Sequence, residues 1–336
     1  MDVAELGKVP REVLEKVVFR RLGWRRKDVI VFPRFGEDAA VLKLDKKTLV
    51  AAMDPITGSE ERIGWLSVHV NANDVAVMGA EPRWFSATIL LPEDGLSKLD
   101  VIMKDIDAAC RSLRVSLVTG HTEVASNVST PIVIGHMLGV PVGRKPVTSS
   151  DARPGDVLVM SKSAGIEGTA ILASAFREKL AGKIPEDVLA RAEKFYEKIS
   201  IVREALKLAE RGLPSAMHDP TEGGVIGGAY ELAEASGCSF VLYEERVPVA
   251  VETEAVCRAL GCDPLKLISS GVLLAAVPRR LLEKCLKTVR GLRVIGEFRE
   301  RREGNVVVRR GGREEEVKES VRDELWRLLS GLSVSP

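Results

Sequence analysis

Residues 71–82 read Asn71-Ala72-Asn73-Asp74-Val75-Ala76-Val77-Met78-Gly79-Ala80-Glu81-Pro82. Asn71 and Asp74 stand three residues apart, so on a helix they share one face. The positions around them are small or apolar and suit close packing. An amide and a carboxylate on an otherwise apolar helix are costly to bury unless something pairs them. A metal ion or a bound phosphate would do so. Gly79 and then Pro82 are expected to end this helix, as a C-terminal glycine and a following proline do.

Working outward, the pattern predicts this helix over 63–78. Upstream it predicts a helix over 11–23 and strands over 29–32, 39–42 and 48–53, with Asp54 closing the last. Downstream it predicts strands over 84–91, 116–118 and 131–138 and an amphipathic helix over 97–113. Strands alternating with helices point to an α/β (α+β) architecture. A polar turn cluster, Asp151-Ala152-Arg153-Pro154-Gly155-Asp156, marks a domain boundary. The expected division is 1–148 and 149–336. The second part is expected to hold a strand over 157–160, long helical pattern to Glu210, a helix over 222–236 and a buried strand over 272–277. Gly311-Gly312 between two short extended runs is a hairpin signal, and a last amphipathic helix surrounds Trp326.

At 336 residues and 45% hydrophobic content, the chain is long enough for two cores. A formal charge of +1 gives no electrostatic footprint for nucleic acid. No apolar run approaches the ~20 residues of a membrane span. The first residues carry no basic flank and no apolar signal core. A soluble cytoplasmic protein is therefore expected. The five cysteines form no C-x-x-C pair, and buried thiols are the expected state. Glutamine is absent and 29% of residues are charged, which fits a heat-adapted source.

There is no G-x-x-x-x-G-K-[ST] loop, so any nucleotide site must be built differently. What the sequence offers is carboxylates at strand ends and loop tips, Asp38, Asp54 and Asp219, with Asp74 in the helix. Converging, they would make a hard, oxygen-rich site suited to magnesium and phosphate. Each also has an ordinary structural reading. Asp38 can stabilise a turn after Gly36. Asp219, followed by Pro220 and Glu222, reads as a helix N-cap.

Taken in order, these elements resemble the PurM-like superfamily of AIR synthetase-related ATP-binding proteins. N-D-x-A-x-M-G-A-x-P at 73–82 is similar to its signature helix. Gly36-Glu37-Asp38-Ala39-Ala40-Val41 resembles G-D-D-A-A-V, with Glu37 replacing the first aspartate. Met53-Asp54, Gly120-His121-Thr122-Glu123 and Asp219-Pro220-Thr221-Glu222-Gly223-Gly224 resemble further elements. The last is similar to D-P-T-R-G-G of the HypE branch, the branch that the chain most resembles, and the resemblance covers about residues 34–300. The resemblance implies ATP and Mg2+ as cofactors and Asp38, Asp54, Asp74 and Asp219 as magnesium–phosphate residues. Gly36, Asn71, Gly120, Thr122, Glu123, Gly223 and Gly224 would adjoin the nucleotide. Asp219 and His121 would serve catalysis. It also implies a homodimer whose N-terminal domains form a β-barrel, with a C-terminal α/β domain covering the site.

The shared chemistry is transfer of the γ-phosphoryl group of ATP to an acceptor oxygen of a small molecule or protein, here unidentified. Departures matter too. HypE ends in a cysteine, whereas this chain ends Leu332-Ser333-Val334-Ser335-Pro336. The D-x-S-D-G-L element of thiamine-monophosphate kinase is replaced by D-P-T-E-G-G. Two other readings therefore stand beside the enzyme: an ATP-binding scaffold or sensor in hydrogenase metallocentre maturation, and a small-molecule kinase.

Overall fold

The computed structural model describes residues 9, 11–22, 26–45, 47–143 and 145–330. The chain ends, at 1–8 and 331–336, lie outside the described residues, as does Gly23 of the expected first helix.

Two sheets organise the molecule. The first contains β1 (Val29–Val31), β2 (Ala40–Leu44), β3 (Lys47–Ile56), β4 (Ala80–Leu91), β5 (Ser116–Val124) and β6 (Ile132–Pro141), in the order β1-β2-β3-β6-β4-β5. The second contains β7 (Val157–Met160), β8 (Ala216–His218), β9 (Ser239–Tyr243), β10 (Leu274–Val277), β11 (Arg293–Arg299), β12 (Val306–Val308) and β13 (Glu314–Glu316), in the order β13-β12-β9-β11-β7-β10-β8. The first sheet pairs antiparallel except β4 with β5; the second is antiparallel except β12 with β9.

The helices among the described residues are α1 (Arg11–Val13), α2 (Ile63–Val77), α3 (Leu99–Leu113), α4 (Ile166–Ala175), α5 (Arg177–Leu180), α6 (Glu186–Glu193), α7 (Val202–Glu210), α8 (Gly224–Ser236), α9 (Val251–Leu260), α10 (Leu282–Thr288) and α11 (Glu324–Ser330). The expected first helix ends early, at Val18 after one π-type turn. The long helical pattern before Glu210 is broken into four helices and a 3-10 turn, because the chain must bend around α4.

The signature helix forms as expected over Ile63–Val77, and Gly79 (φ +69°) turns the chain out of it. Pro82 does not act as the stop. Strand β4 begins at Ala80, and Pro82 lies within it opposite Gly139. Helix α2 is buried along fourteen of its fifteen residues. One side packs on the first sheet, and Ala76 and Val77 enter a second apolar cluster with Val157, Leu208 and Met217. A helix covered on every side has no polar face to spare. This explains its run of small and apolar residues, and it places Asn71, Asn73 and Asp74 between the two sheets.

Candidate functional site at the junction of the two sheets

The N-terminal segment reaches across to the second sheet. Gly36 sits at φ +77°, and a Cβ there would lie 2.6 Å from the carbonyl oxygen of Glu231 in α8. This glycine is needed for contact with the protein's own helix. Phe35 meets Tyr230 edge-on at 6.4 Å between ring centroids. The same approach delivers Asp38. Its carboxylate lies 2.7 Å from Nδ1 of His218, whose Nε2 lies 2.8 Å from Glu231 Oε2. Burial alone would discharge this imidazole. Asp38 and then Glu231 outweigh it and push its pKa up to about 10. His218 is thus an imidazolium donating from both nitrogens to carboxylates of two distant segments. Asp38 also accepts a hydrogen bond from Ser149 Oγ at 3.0 Å, while Glu37 accepts one from Ser149 N–H at 2.9 Å.

Asp219 is the next residue in the chain. It is not an N-cap: α8 starts five residues later, with Gly223 preceding it at φ +80°. Its side chain is instead buried, and neither carboxylate oxygen makes a hydrogen bond among the described residues. Burial raises its pKa well above 3.8; the Asn73 amide opposes the rise, Asp38 adds to it, His218 opposes it and Glu167 adds to it. Asn73 itself is held by the backbone, donating to Ile199 O and accepting from Ile201 N–H, each at 3.0 Å.

Glu167, in the first turn of α4, is the second buried acid. Its Oε2 has no hydrogen-bond partner, nor has the neighbouring buried Ser270 Oγ. Burial pushes the Glu167 carboxyl up to about 7; Ser270 opposes this, and Glu222 and Asp54 add to it. Lys162 stands nearby in the left-handed region at φ +54°. Its half-buried ammonium donates to Ser200 O at 2.6 Å and Lys198 O at 2.8 Å. Such a conformation in a non-glycine residue persists only where the surroundings enforce it.

The remaining expectations divide. Asp54 does not close its strand, since β3 continues through Pro55 and Ile56. It shares its face with Val50, Ala52 and Ile56, toward α2. Asn71 grips its backbone: Asp54 N–H donates to Asn71 Oδ1 at 2.9 Å and Asn71 Nδ2 donates to Asp54 O at 3.2 Å and Ser67 O at 2.8 Å. Asn71 is therefore spent on positioning Asp54. Asp74 is buried on the same helix, 5% exposed.

Gly120, His121, Thr122 and Glu123 form no loop. They belong to β5, an edge strand exposed at every residue. The row His121–Thr88–Ile134–Pro55 crosses the sheet, placing His121 three strand spacings, about 14 Å, from β3. His121 lies on the opposite face from Asp54, with Glu123 3.4 Å away beside it. Within one chain, then, His121 does not meet Asp219.

Gly223 and Gly224 do not lie open to a phosphate. A Cβ on Gly223 would lie 2.7 Å from Val321 O, and one on Gly224 would lie 2.5 Å from Leu265 O. The Gly223 N–H donates to Asp323 Oδ2 at 2.7 Å. Close approach is required here by the C-terminal segment and the 265–267 loop.

Among the described residues, no three His, Cys, Asp or Glu side chains lie close enough to hold one metal ion. The four aspartates thus form no closed metal cage. The donor set still fits magnesium. Asp219 presents two unpaired, buried oxygens, and such hard donors suit an ion that takes one or two carboxylates and completes its shell with phosphate and water. Sequence reasoning missed Glu167, Ser270 and Glu231. Glu167 had a signal, as the lone carboxylate within the apolar stretch 164–173.

Two sheets that meet at the buried acids Asp219 and Glu167 define a class. The AIR synthase related N-terminal domain matches residues 36–141 and the AIR synthase related C-terminal domain matches residues 153–309, and the chain belongs to this PurM-like superfamily. Within it the chain stands with the HypE branch. It is 32% identical over 262 residues to the carbamoyl dehydratase HypE of Azotobacter vinelandii, covering 75% of this chain and 74% of that one. The HypE–HypF complex superposes with a TM-score of 0.75 at 25% identity, covering 91% of this chain and 99% of that one. A hydrogenase maturation protein HypE in complex with ATP gives a TM-score of 0.73 at 24% identity, with 94% and 96% covered.

Proposed function

We propose that the chain is an ATP- and magnesium-dependent enzyme of the HypE type, which transfers the γ-phosphoryl group of ATP to an acceptor oxygen. The observation that carries this reading is Asp219, fully buried with both carboxylate oxygens unpaired. Leaving such a group unsatisfied is expensive, and proteins retain that cost where a ligand relieves it. Asp219, Asp54 and Asp74 would hold magnesium, with Asp38 fixed behind them by His218. The ion would neutralise charge on the phosphate oxygens. The protein's own part is positioning: Asn71 fixes the Asp54 backbone, and Asn73 and Lys162 hold the 198–201 segment against the site. Where the acceptor is an amide or carbonyl oxygen, phosphorylation makes that oxygen a leaving group.

The same reading assigns Gly120, His121, Thr122 and Glu123 to a site completed by a second copy. Strand β5 offers an unpaired edge, with Leu117, Val118 and Val124 exposed at 43%, 53% and 47%. Exposed strand edges of this kind are rarely left uncovered. A homodimer closed through these strands, with the division between domains near 148, is the assembly it requires.

Calorimetric titration with ATP–Mg2+, followed by phosphoryl-transfer assays on amide, thiocarboxylate and alcohol acceptors, tests the proposal. Binding lost in Asp219→Asn is the expected result. Equal ATP affinity in the two proteins would overturn the assignment.

A further inference from the structure

Helix α9 ends in a turn that brings two thiols together. Gly261 takes the left-handed conformation (φ +69°), and the N–H of Cys262 donates to Cys257 O at 3.0 Å. This six-to-one closure is the Schellman turn, which places the side chains of its first and last residues in contact. Those residues here are Cys257 and Cys262, and the neighbouring Cys262 thiol is the first cause holding the Cys257 thiol protonated. Cys257 is buried and Cys262 is half-buried. Both line a cavity of about 270 Å³ that also borders Val249, Arg258, Pro264 and Arg310. Cys257 belongs to the main apolar core and Cys262 packs against it, but neither is part of the candidate site.

We propose that Cys257 and Cys262 are a redox-active dithiol that closes to an intramolecular disulfide by exchange with a small-molecule or protein disulfide. Cys262, the more accessible thiol, loses its proton and attacks one sulfur of the incoming disulfide. A mixed disulfide forms and one thiolate leaves. The Cys257 sulfur, deprotonated in turn, then attacks the Cys262 sulfur and expels the second thiolate. Two protein thiols are oxidised by two electrons, one external disulfide is reduced to two thiols, and the two protons end on the leaving groups.

The bond would act on the segment that begins at Cys262 and runs beneath the site. There Leu265 O accepts from Ile226 N–H in α8 at 3.2 Å, Ile268 O accepts from Gly168 N–H in α4 at 3.1 Å, and Ser269 N–H donates to Thr221 O at 3.3 Å. Lys266 O accepts from Glu324 N–H at 3.2 Å. Closing the dithiol pins the start of a segment that touches α4, which bears Glu167, and α8, which bears Glu231.

The chain supplies its own assay. Trypsin cleaves after Arg258, between the two cysteines, so peptides 247–258 and 259–266 stay joined only through a disulfide. Full-length protein is treated with oxidised glutathione, alkylated and digested without reductant. The joined pair, two hydrogens lighter than the sum of its parts, is the expected product. Cys257→Ser should trap glutathione on Cys262, and Cys262→Ser should leave Cys257 unmodified. Cys110, Cys238 and Cys285, each buried on a different part of the fold, serve as controls. Slower amide exchange across 265–269 after oxidation, absent in both variants, is the accompanying signature. A wild-type protein that keeps a stable glutathione adduct on Cys262, or stays fully reduced while Cys262 alkylates readily, overturns the proposal.

Discussion

Helix α2 and strand β5 both carry residues of the family pattern, yet the fold treats them in opposite ways. Helix α2 is buried at fourteen of fifteen positions, and strand β5 is exposed at all nine. Around α2, Asn71 is held by Asp54 and Ser67 and Asn73 by Ile199 and Ile201, while buried His69 makes no hydrogen bond through either ring nitrogen. Along β5, His121 pairs with Glu123 of its own strand, and both are mostly exposed. One region is enclosed within the chain. The other is an open strand edge.

The sharpest way to break this comparison is complementation. Asp219→Asn is expected to cut ATP turnover by at least about 100-fold, the scale set by loss of a charge-stabilising group. His121→Ala should also lower turnover if β5 serves the neighbouring subunit's site. Mixing the two inactive proteins should then restore part of the activity, because some hybrid sites keep both residues. Full inactivity of the mixture, with hybrid dimers demonstrated by native mass spectrometry, would separate His121 from the site.

Stability should divide the regions next. Asn71→Leu removes the partner of a strand N–H and of two carbonyls, and should cost about 2–4 kcal/mol in urea unfolding. His121→Ala should change it by less than about 0.5 kcal/mol. Similar losses in both would mean that β5 is as deeply built in as α2.

The pH dependence sharpens what lies behind α2. The folded pKa of His218 is raised to about 10 from an ordinary 6.5. Its contribution to stability is therefore complete below about pH 6.5 and declines as pH rises toward 10. Metal-free protein should lose stability from pH 7 to 9, and His218→Gln should flatten that slope. The window stops at 9 because the buried thiols, raised to about 11, add a loss of the same sign above it. A slope unchanged in His218→Gln would remove the imidazolium bridge.

The smallest effect on folding is expected at the strand edge. Val118→Lys should leave the unfolding midpoint of the monomer nearly unchanged while shifting sedimentation from dimer to monomer. A variant that remains dimeric would place the interface elsewhere.

Much of this was legible in residue order, though unevenly. Patterns that repeat every two or every three to four residues are local, so β3, α2, α3, β6 and β10 stand close to where periodicity puts them. Boundaries shifted where the neighbouring strand decided the length: β5 runs on to Val124 because β4 pairs with it through Leu91. Asp219 looked like an N-cap because its flanking residues fit one, but the helix starts after Gly223, where contacts with Val321 and Leu265 demand glycine.

The sequence alone determined the alternation of strand and helix, the mostly apolar setting of Asn71 and Asp74, and the order of the motif segments. Each of these is written in spacing over a few residues. Only the tertiary structure decided that Asp38 and Glu231 clasp His218, that Glu167 and Asp219 are both buried, and that β5 is left exposed. Those facts depend on residues tens to nearly two hundred positions apart, and on which surfaces remain after the sheets have packed. Neither burial nor the absence of a partner is a property of any short stretch of chain.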